Sequence, residues 1–319
     1  MEYKVFVASR SYSKYSKKTK QFLQDNDCVL DYNTLDRPYK EGDLLQIVEK
    51  YDAIIVGVDE VTKKVINKGK NLKVIAKNGV GVDNIDLKTA SDKGVYVINA
   101  PGTNSPSVAD LALALMLSLG RKITVINKIT KDGLWKRKIG SELWEKTVGI
   151  IGTGDIGKGV ARRLTGFNCN LLAFDVNKDK AFAEKYNIKY MNLGDLLKQS
   201  DYVTIHLPLN SKTKDLIDMR ELKLMQKTSY LINTARGGIV NEDSLYTALK
   251  NNIIAGAACD VYENEPPGKS ILFTLDNFIA TSHIGAFTYG TNKRTGIKVA
   301  KNLVKGLQGK RPNNIVNDL

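Results

Sequence analysis

Histidine is almost missing from this chain. Only His206 and His283 occur in 319 residues, and they lie far apart in the sequence. A metal centre needs clustered ligands, so no metal site is expected. Cysteine is nearly as scarce. Cys28, Cys169 and Cys259 make an odd count with no C-x-x-C spacing, which excludes a disulfide framework and points to free thiols in a reducing cytoplasm. Long apolar runs are absent too. The longest stretch, residues 108–119, is interrupted by Asp110 and is too short to span a bilayer. The opening MEYKVFVASR has too short an apolar run for a signal segment, so neither targeting nor a membrane is expected.

Acidic residues are outnumbered, 34 against 48 lysines and arginines, for a net charge of +14. A nucleic-acid surface would gather the basic residues on one face, with aromatics to stack on bases. Here the lysines are spread through almost every segment. The denser groups, Lys14-Lys17-Lys18-Lys20 and Lys136-Arg137-Lys138, are short enough to be solvated surface. A nucleic-acid partner is therefore not expected, whereas such a surface draws in small anions.

What is present is regular alternation. Apolar runs at 3–8, 28–32, 53–58, 72–76 and 95–99 read as strands, with helical stretches at 13–24, 42–50, 62–69 and 86–93 between them. Such alternation predicts a parallel sheet covered by helices. In NAPGTNSPSVADLALALMLSLGRK, Pro101-Gly102 and Asn104 mark a loop, Ser105 is a candidate N-cap and Pro106 a first helical residue. The helix that follows is apolar almost all round and should be buried. After the irregular KDGLWKRKIGSELW, a second series begins, with strands at 148–151, 170–175, 202–207, 229–233, 254–260 and 278–280. Helices at 156–165, 179–186, 193–199 and 242–250 connect them, and a long helix follows residue 286. The boundaries expected are one domain from 1–100 and 287–319, and a second from 101–286.

The second series opens on TVGIIGTGDIGKGVARRL. Gly152, Gly154 and Gly157 stand in G-x-G-x-x-G spacing directly after a strand, and Asp175 ends the next apolar run, 18 residues beyond Gly157. Each has a task if a dinucleotide binds. Gly152 permits the tight turn, Gly154 lets backbone approach the pyrophosphate, and Gly157 lets helix and strand pack closely. N–H groups at the helix start face the phosphates, and Asp175 accepts the ribose hydroxyls and repels a 2′-phosphate.

In doubly wound sheets ligands lie outside the carboxyl ends of the strands. Read that way, the second series brings His206, Arg236, Asp260, Glu265 and His283 to one rim. Arg236, flanked by Gly237 and Gly238, is a forked cation suited to a carboxylate. His283 is a candidate acid or base, with a carboxylate such as Glu265 to hold its second ring nitrogen. His206 also ends a strand but has no acid close behind it, and is expected as a wall of the cofactor pocket. Asp260 is a candidate for the nicotinamide carboxamide.

The motifs KNGVGVDNIDL, NAPGTNSPSVAD, GTGDIG, HLPLNSKT, LINTARGGIVNEDSL, GAACDVYENEPP and TSHIGA resemble the NAD-dependent D-2-hydroxyacid dehydrogenases over essentially the whole chain. Within that family the similarity is strongest to short-type D-3-phosphoglycerate dehydrogenases. The resemblance implies an α/β fold of two doubly wound parallel-sheet domains, a Rossmann NAD-binding domain inserted in a flavodoxin-like substrate domain. It implies Arg236, Glu265 and His283 as catalytic residues. Cofactor contacts are implied from Val80, Gly152, Gly154, Asp155, Ile156, Gly157, Asp175, His206, Pro208, Thr213, Thr234, Ala235, Arg236, Asp260, His283, Gly285 and Ala286. It implies a substrate held by Asn78, Gly79, Arg236 and His283, and a homodimer built through the nucleotide domain. Backbone N–H groups of residues 78–81 are candidates for the substrate carboxylate.

The chain departs from the family pattern at three places. Lys77, followed by Asn78, replaces a common arginine; Gly57 stands where phosphoglycerate enzymes often place an arginine; Asp110 replaces a glutamate. The expected reaction is hydride transfer between NAD and C2 of a D-2-hydroxy acid, with D-3-phosphoglycerate and serine biosynthesis foremost. Glyoxylate, hydroxypyruvate or a branched 2-oxo acid is the nearest alternative. Phosphite oxidation and an NAD-sensing corepressor are more distant ones.

Overall fold

A computed structural model describes residues 2–12, 17–35 and 37–319. Residues 13–16 of the helical stretch expected at 13–24, with Lys14 of the first lysine group, lie outside the described residues. The chain forms two compact units, Met1–Asn104 with Phe287–Leu319, and Ser105–Ala286.

The first unit holds strands β1 (Tyr3–Val7), β2 (Cys28–Tyr32), β3 (Ala53–Val56), β4 (Val74–Lys77) and β5 (Tyr96–Ile98). They form one parallel sheet in the order β2-β1-β3-β4-β5. Side chains alternate across it: Val5 and Val7 enter one core layer, Phe6 and Ala8 the other. The layer with Val5 and Val7 is completed by Val299, Ala300, Leu303, Val304 and Leu307 of the helix Tyr289–Leu307. Each valine or leucine among them contributes about 1.5–3 kcal/mol when fully buried.

The second unit holds β6 (Thr147–Ile151), β7 (Asn170–Phe174), β8 (Ile188–Tyr190), β9 (Tyr202–Ile205), β10 (Tyr230–Asn233), β11 (Gly256–Cys259) and β12 (Phe278–Ala280). All pair in parallel, in the order β12-β11-β10-β9-β6-β7-β8. The order reverses beside β6, so the loop after β6 lies at the switch point where ligands bind. The helix Ser105–Gly120 begins at Ser105 itself and buries Val108, Ala109, Ala112, Leu115, Met116 and Leu119. Arg163 fastens it to the helix Asp155–Leu164, donating from Nε to Asp110 at 2.6 Å and from Nη2 to the Pro106 carbonyl at 3.1 Å.

Among the elements that were not expected are a short strand and an exposed helix. The strand β8 has three residues and follows directly on the helix Lys180–Tyr186, whose C-cap Asn187, with φ 51°, turns the chain with no further intervening residue. The helix Ile123–Lys131, ITVINKITK, is rich in β-branched residues that disfavour helix, and none of its residues is buried. Among the described residues no helix is long and apolar enough to cross a membrane.

Candidate active site

The nucleotide end of the second unit is shaped by its glycines. Gly152 takes φ +95°, and a Cβ there would press on the His206 carbonyl. A Cβ on Gly157 would fall onto the Gly152 carbonyl, so the helix rests directly on the turn. Gly154 differs, since a Cβ there would meet nothing within 4 Å. Its open side is the space a diphosphate needs. Asp155, Ile156 and Gly157 supply the first N–H groups of the helix, which have no carbonyl of their own helix to bond.

Asp175 is held just after β7. Its Oδ2 accepts from the Thr153 N–H at 2.6 Å and hydroxyl at 3.1 Å, and its Oδ1 accepts from Asn177 N–H at 2.8 Å. Thr153, in turn, shares a 2.9 Å hydrogen bond with the Tyr190 hydroxyl. Sequence reasoning passed over Thr153 and Tyr190; the threonine between the two motif glycines was the available signal.

Two polar atoms near the strand ends, Nδ1 of His206 and Oγ1 of Thr234, are buried with no partner among the described residues. Nε2 of His206 lies 2.9 Å from the Thr204 hydroxyl. Burial pushes the His206 ring down to about 3, so it stays neutral at physiological pH. A ring whose pKa is lowered this far is poorly suited to cycling a proton near pH 7. The orphaned atoms, the open face of Gly154 and the helix start fit a polar ligand such as a dinucleotide. In the 208–213 loop, the Thr213 hydroxyl donates to the Pro208 carbonyl at 2.6 Å and accepts from Asn210 N–H at 2.9 Å.

The chemical end is assembled from three loops. Gly237 lets the segment after β10 lie against that after β11, since a Cβ there would occupy the Tyr262 carbonyl. Arg236 is half-buried, with Nη1 donating to the Ala235 carbonyl at 2.8 Å. Oε2 of Glu265 lies 2.6 Å from Nδ1 of His283, while Oε1 accepts from Tyr262 N–H at 3.1 Å. Their side chains are 36% and 49% exposed, so the pair is open to a small ligand.

His283 takes φ +54°, the left-handed region that a side chain rarely adopts. Asp260, 1% exposed, holds it there. Its carbonyl accepts from His283 N–H at 2.8 Å. Its carboxylate accepts from the Thr281 hydroxyl at 2.6 Å and from the N–H groups of Ile284 and Gly285, each at 2.8 Å. Asp260, expected to meet a carboxamide, here fixes the loop that carries the histidine. Ala286 ends this unit.

The sequence model of the D-isomer specific 2-hydroxyacid dehydrogenase NAD binding domain matches residues 113–285. The chain belongs to the D-isomer-specific 2-hydroxyacid dehydrogenases. It is 42% identical over 279 residues to a D-3-phosphoglycerate dehydrogenase of Methanocaldococcus jannaschii, covering 86% of this chain and 53% of that protein. The chain therefore spans about half the length of that relative. It is 38% identical to a hydroxypyruvate reductase of Thermotoga maritima, covering 84% of this chain and 89% of the relative. Among solved structures, the TT0316 protein of Thermus thermophilus superposes with a TM-score of 0.90 at 32% identity, over 98% of this chain and 99% of that one.

By that match the second unit is an NAD-binding domain of this family. The remaining expected residues, Asn78, Gly79 and Val80, belong to the first unit. There Asn78 N–H donates to the Val56 carbonyl at 2.8 Å, which corrects its expected place among the donors open to a carboxylate. The Gly79 carbonyl accepts from Ala100 N–H at 2.8 Å and the Val80 carbonyl from the Asn99 amide at 2.7 Å. These bonds fix the turn through its carbonyls. The N–H groups of Gly79, Val80 and Gly81 have no acceptor among the described residues.

Proposed function

We propose that this dehydrogenase interconverts a D-2-hydroxy acid and its 2-oxo acid, with Arg236, Glu265 and His283 carrying the chemistry. The observation that carries the reading is the contact between Glu265 and Nδ1 of His283. With Nδ1–H given to the carboxylate, Nε2 is the nitrogen left for substrate. In the neutral ring Nε2 is a base and takes the proton of the C2 hydroxyl. In the protonated ring Nε2–H is the acid that returns a proton to the carbonyl oxygen. Arg236 clamps the carboxylate and polarises the neighbouring carbonyl. Bound NAD supplies the chemistry the protein lacks, accepting a hydride from C2 or, reduced, delivering one. Gly152, Gly154, Asp155, Ile156, Gly157, Asp175 and Thr234 are the residues we assign to hold it. The open N–H groups of residues 79–81 we assign to the substrate carboxylate.

Within the acid class, the resemblance and the M. jannaschii relative favour 3-phosphoglycerate and a place in serine biosynthesis. One observation favours an acid without phosphate. Lys77 is buried, only 9% exposed, and its Nζ donates to the Gly57 carbonyl at 2.6 Å and to Oδ1 of Asn84 at 2.7 Å. A cation tied between two loops is poorly placed to serve a phosphate.

We further propose a homodimer formed through the nucleotide unit. Support comes from its exposed apolar side chains, Trp135 at 86% and Ile139 at 93%, with Leu134 and Trp144 about half exposed. A cytoplasmic location accords with Cys28, Cys169 and Cys259, all free thiols. The reaction is tested by NADH oxidation across a panel of 2-oxo acids. His283→Ala is expected to lose activity by roughly 10²–10⁴-fold while NADH still binds. Near-normal turnover in that variant would falsify the assignment.

A further inference from the structure

Three adjacent strands of the first unit, β1, β3 and β4, end at one rim, and the residues that follow them meet. Ser9 follows β1, Gly57 follows β3 and Asn78 follows β4. Nδ2 of Asn78 donates to the Ser9 hydroxyl at 2.9 Å and to the Ser11 hydroxyl at 3.3 Å, and the two hydroxyl oxygens are 3.5 Å apart. A Cβ on Gly57 would come to 3.3 Å from the Ser9 hydroxyl, so the serine packs where a side chain at position 57 would begin. Ser9 also lines a 280 Å³ cleft with Arg10, Tyr12, Tyr32 and Asn33.

We propose that Ser9, Ser11 and the side chain of Asn78 form the subsite for the C3 group of the acid, and that this subsite takes an uncharged hydroxyl rather than a phosphate. The proposal rests on the 2-hydroxyacid reading above and specifies the substrate within it. Asn78 opens the turn whose N–H groups we assign to the carboxylate, so a group two carbons further along the acid is within reach of its side chain. With both amide protons directed at serines, Asn78 has its carbonyl oxygen left, and no donor among the described residues reaches it. The cluster therefore offers one neutral acceptor and hydroxyl protons, the complement of an alcohol. A phosphate dianion calls for cations or a row of N–H donors, and a carbonyl oxygen repels it. The two positions that would supply such a cation do not: Gly57 has no side chain and the Lys77 ammonium is tethered. Arg10 is exposed and engaged in an interaction of its own, and a phosphate drawn to it is the rival occupant.

The test measures kcat/KM of the full chain at saturating NADH with hydroxypyruvate, 3-phosphohydroxypyruvate and glyoxylate, which has no C3 group. Hydroxypyruvate is expected to be the best of the three. Ser11→Ala should lower the hydroxypyruvate-to-glyoxylate ratio by roughly five- to tenfold, and Ser11→Thr, which keeps the hydroxyl, should restore it. A preference for 3-phosphohydroxypyruvate overturns the subsite and leaves the dehydrogenase standing. An equal loss on both acids in Ser11→Ala marks a structural role and overturns it as well. If NADH binds and no acid is reduced, the reaction itself has been misassigned.

Discussion

Oε2 of Glu265 and Nδ1 of His283 stand 2.6 Å apart, and that contact sets both the tautomer and the basicity of the ring. The hydrogen bond to Glu265 raises the His283 pKa above its ordinary value; burial opposes this, the Glu265 and Asp260 charges support it, and Arg236 resists. Burial pushes Glu265 up, but the His283 hydrogen bond, the Tyr262 N–H and the charges of His283 and Arg236 outweigh it, leaving its pKa lowered.

Reduction of a 2-oxo acid needs protonated His283, so its rate should fall as pH rises through the raised histidine value. Oxidation of the hydroxy acid needs the neutral ring and should rise through the same range. Glu265→Gln is expected to move both limbs to lower pH and to reduce kcat roughly 10- to 100-fold. Steady-state pH profiles in both directions check this, and unmoved limbs would detach Glu265 from the histidine. Stability follows the same linkage. The histidine contribution is complete below its ordinary value of 6.5 and is lost as pH rises through the folded value. The glutamate contribution is present above its ordinary value of 4.5 and is lost as pH falls through the folded value.

Arg236→Lys keeps the charge and loses the fork. A point charge cannot hold a carboxylate in one plane, so kcat/KM for any 2-oxo acid should fall about 100-fold, mostly through KM. Saturation curves at fixed NADH separate the two parameters. An unchanged KM would place the carboxylate elsewhere.

The glycines of the nucleotide turn should part company. Gly157→Ala drives a methyl into the Gly152 carbonyl and should cost about 2 kcal/mol, a Tm drop of roughly 4–8 °C. Gly154→Ala meets no protein atom within 4 Å, so Tm should hold while NADH binding weakens at least about tenfold. Thermal melts beside NADH fluorescence titrations read both. Full affinity in Gly154→Ala would mean that the diphosphate does not pass there.

Light scattering with size exclusion addresses the exposed arm. The wild-type chain is expected to run as a dimer, and Trp135→Asp with Ile139→Asp as a monomer with its Tm nearly unchanged by the charges themselves. A dimer that persists in the double variant would move the interface away from these residues.

Much of this was legible in the sequence because the signals were local. A strand, three glycines and Asp175 occur within a short span, and that spacing has few other uses. Arg236, Glu265 and His283 could be assigned to one rim from strand order alone. Other features depend on side chains meeting across the sequence. Nothing near Lys77 announces that its ammonium is bound to Gly57 and Asn84, or that the N–H of Asn78 is taken by Val56. The φ of +54° at His283 is equally silent, because Asp260, which maintains it, stands 23 residues earlier. The helix Ile123–Lys131 was hidden by a composition that favours strands.

The division of the chain also orders its birth on the ribosome. Residues 105–286 form one uninterrupted stretch and can fold while the remainder is still being made. The unit made first must wait. Until Val299, Leu303 and Leu307 arrive, the sheet face bearing Val5 and Val7 stays wet and adhesive. The part of the protein translated earliest is thus the last to close.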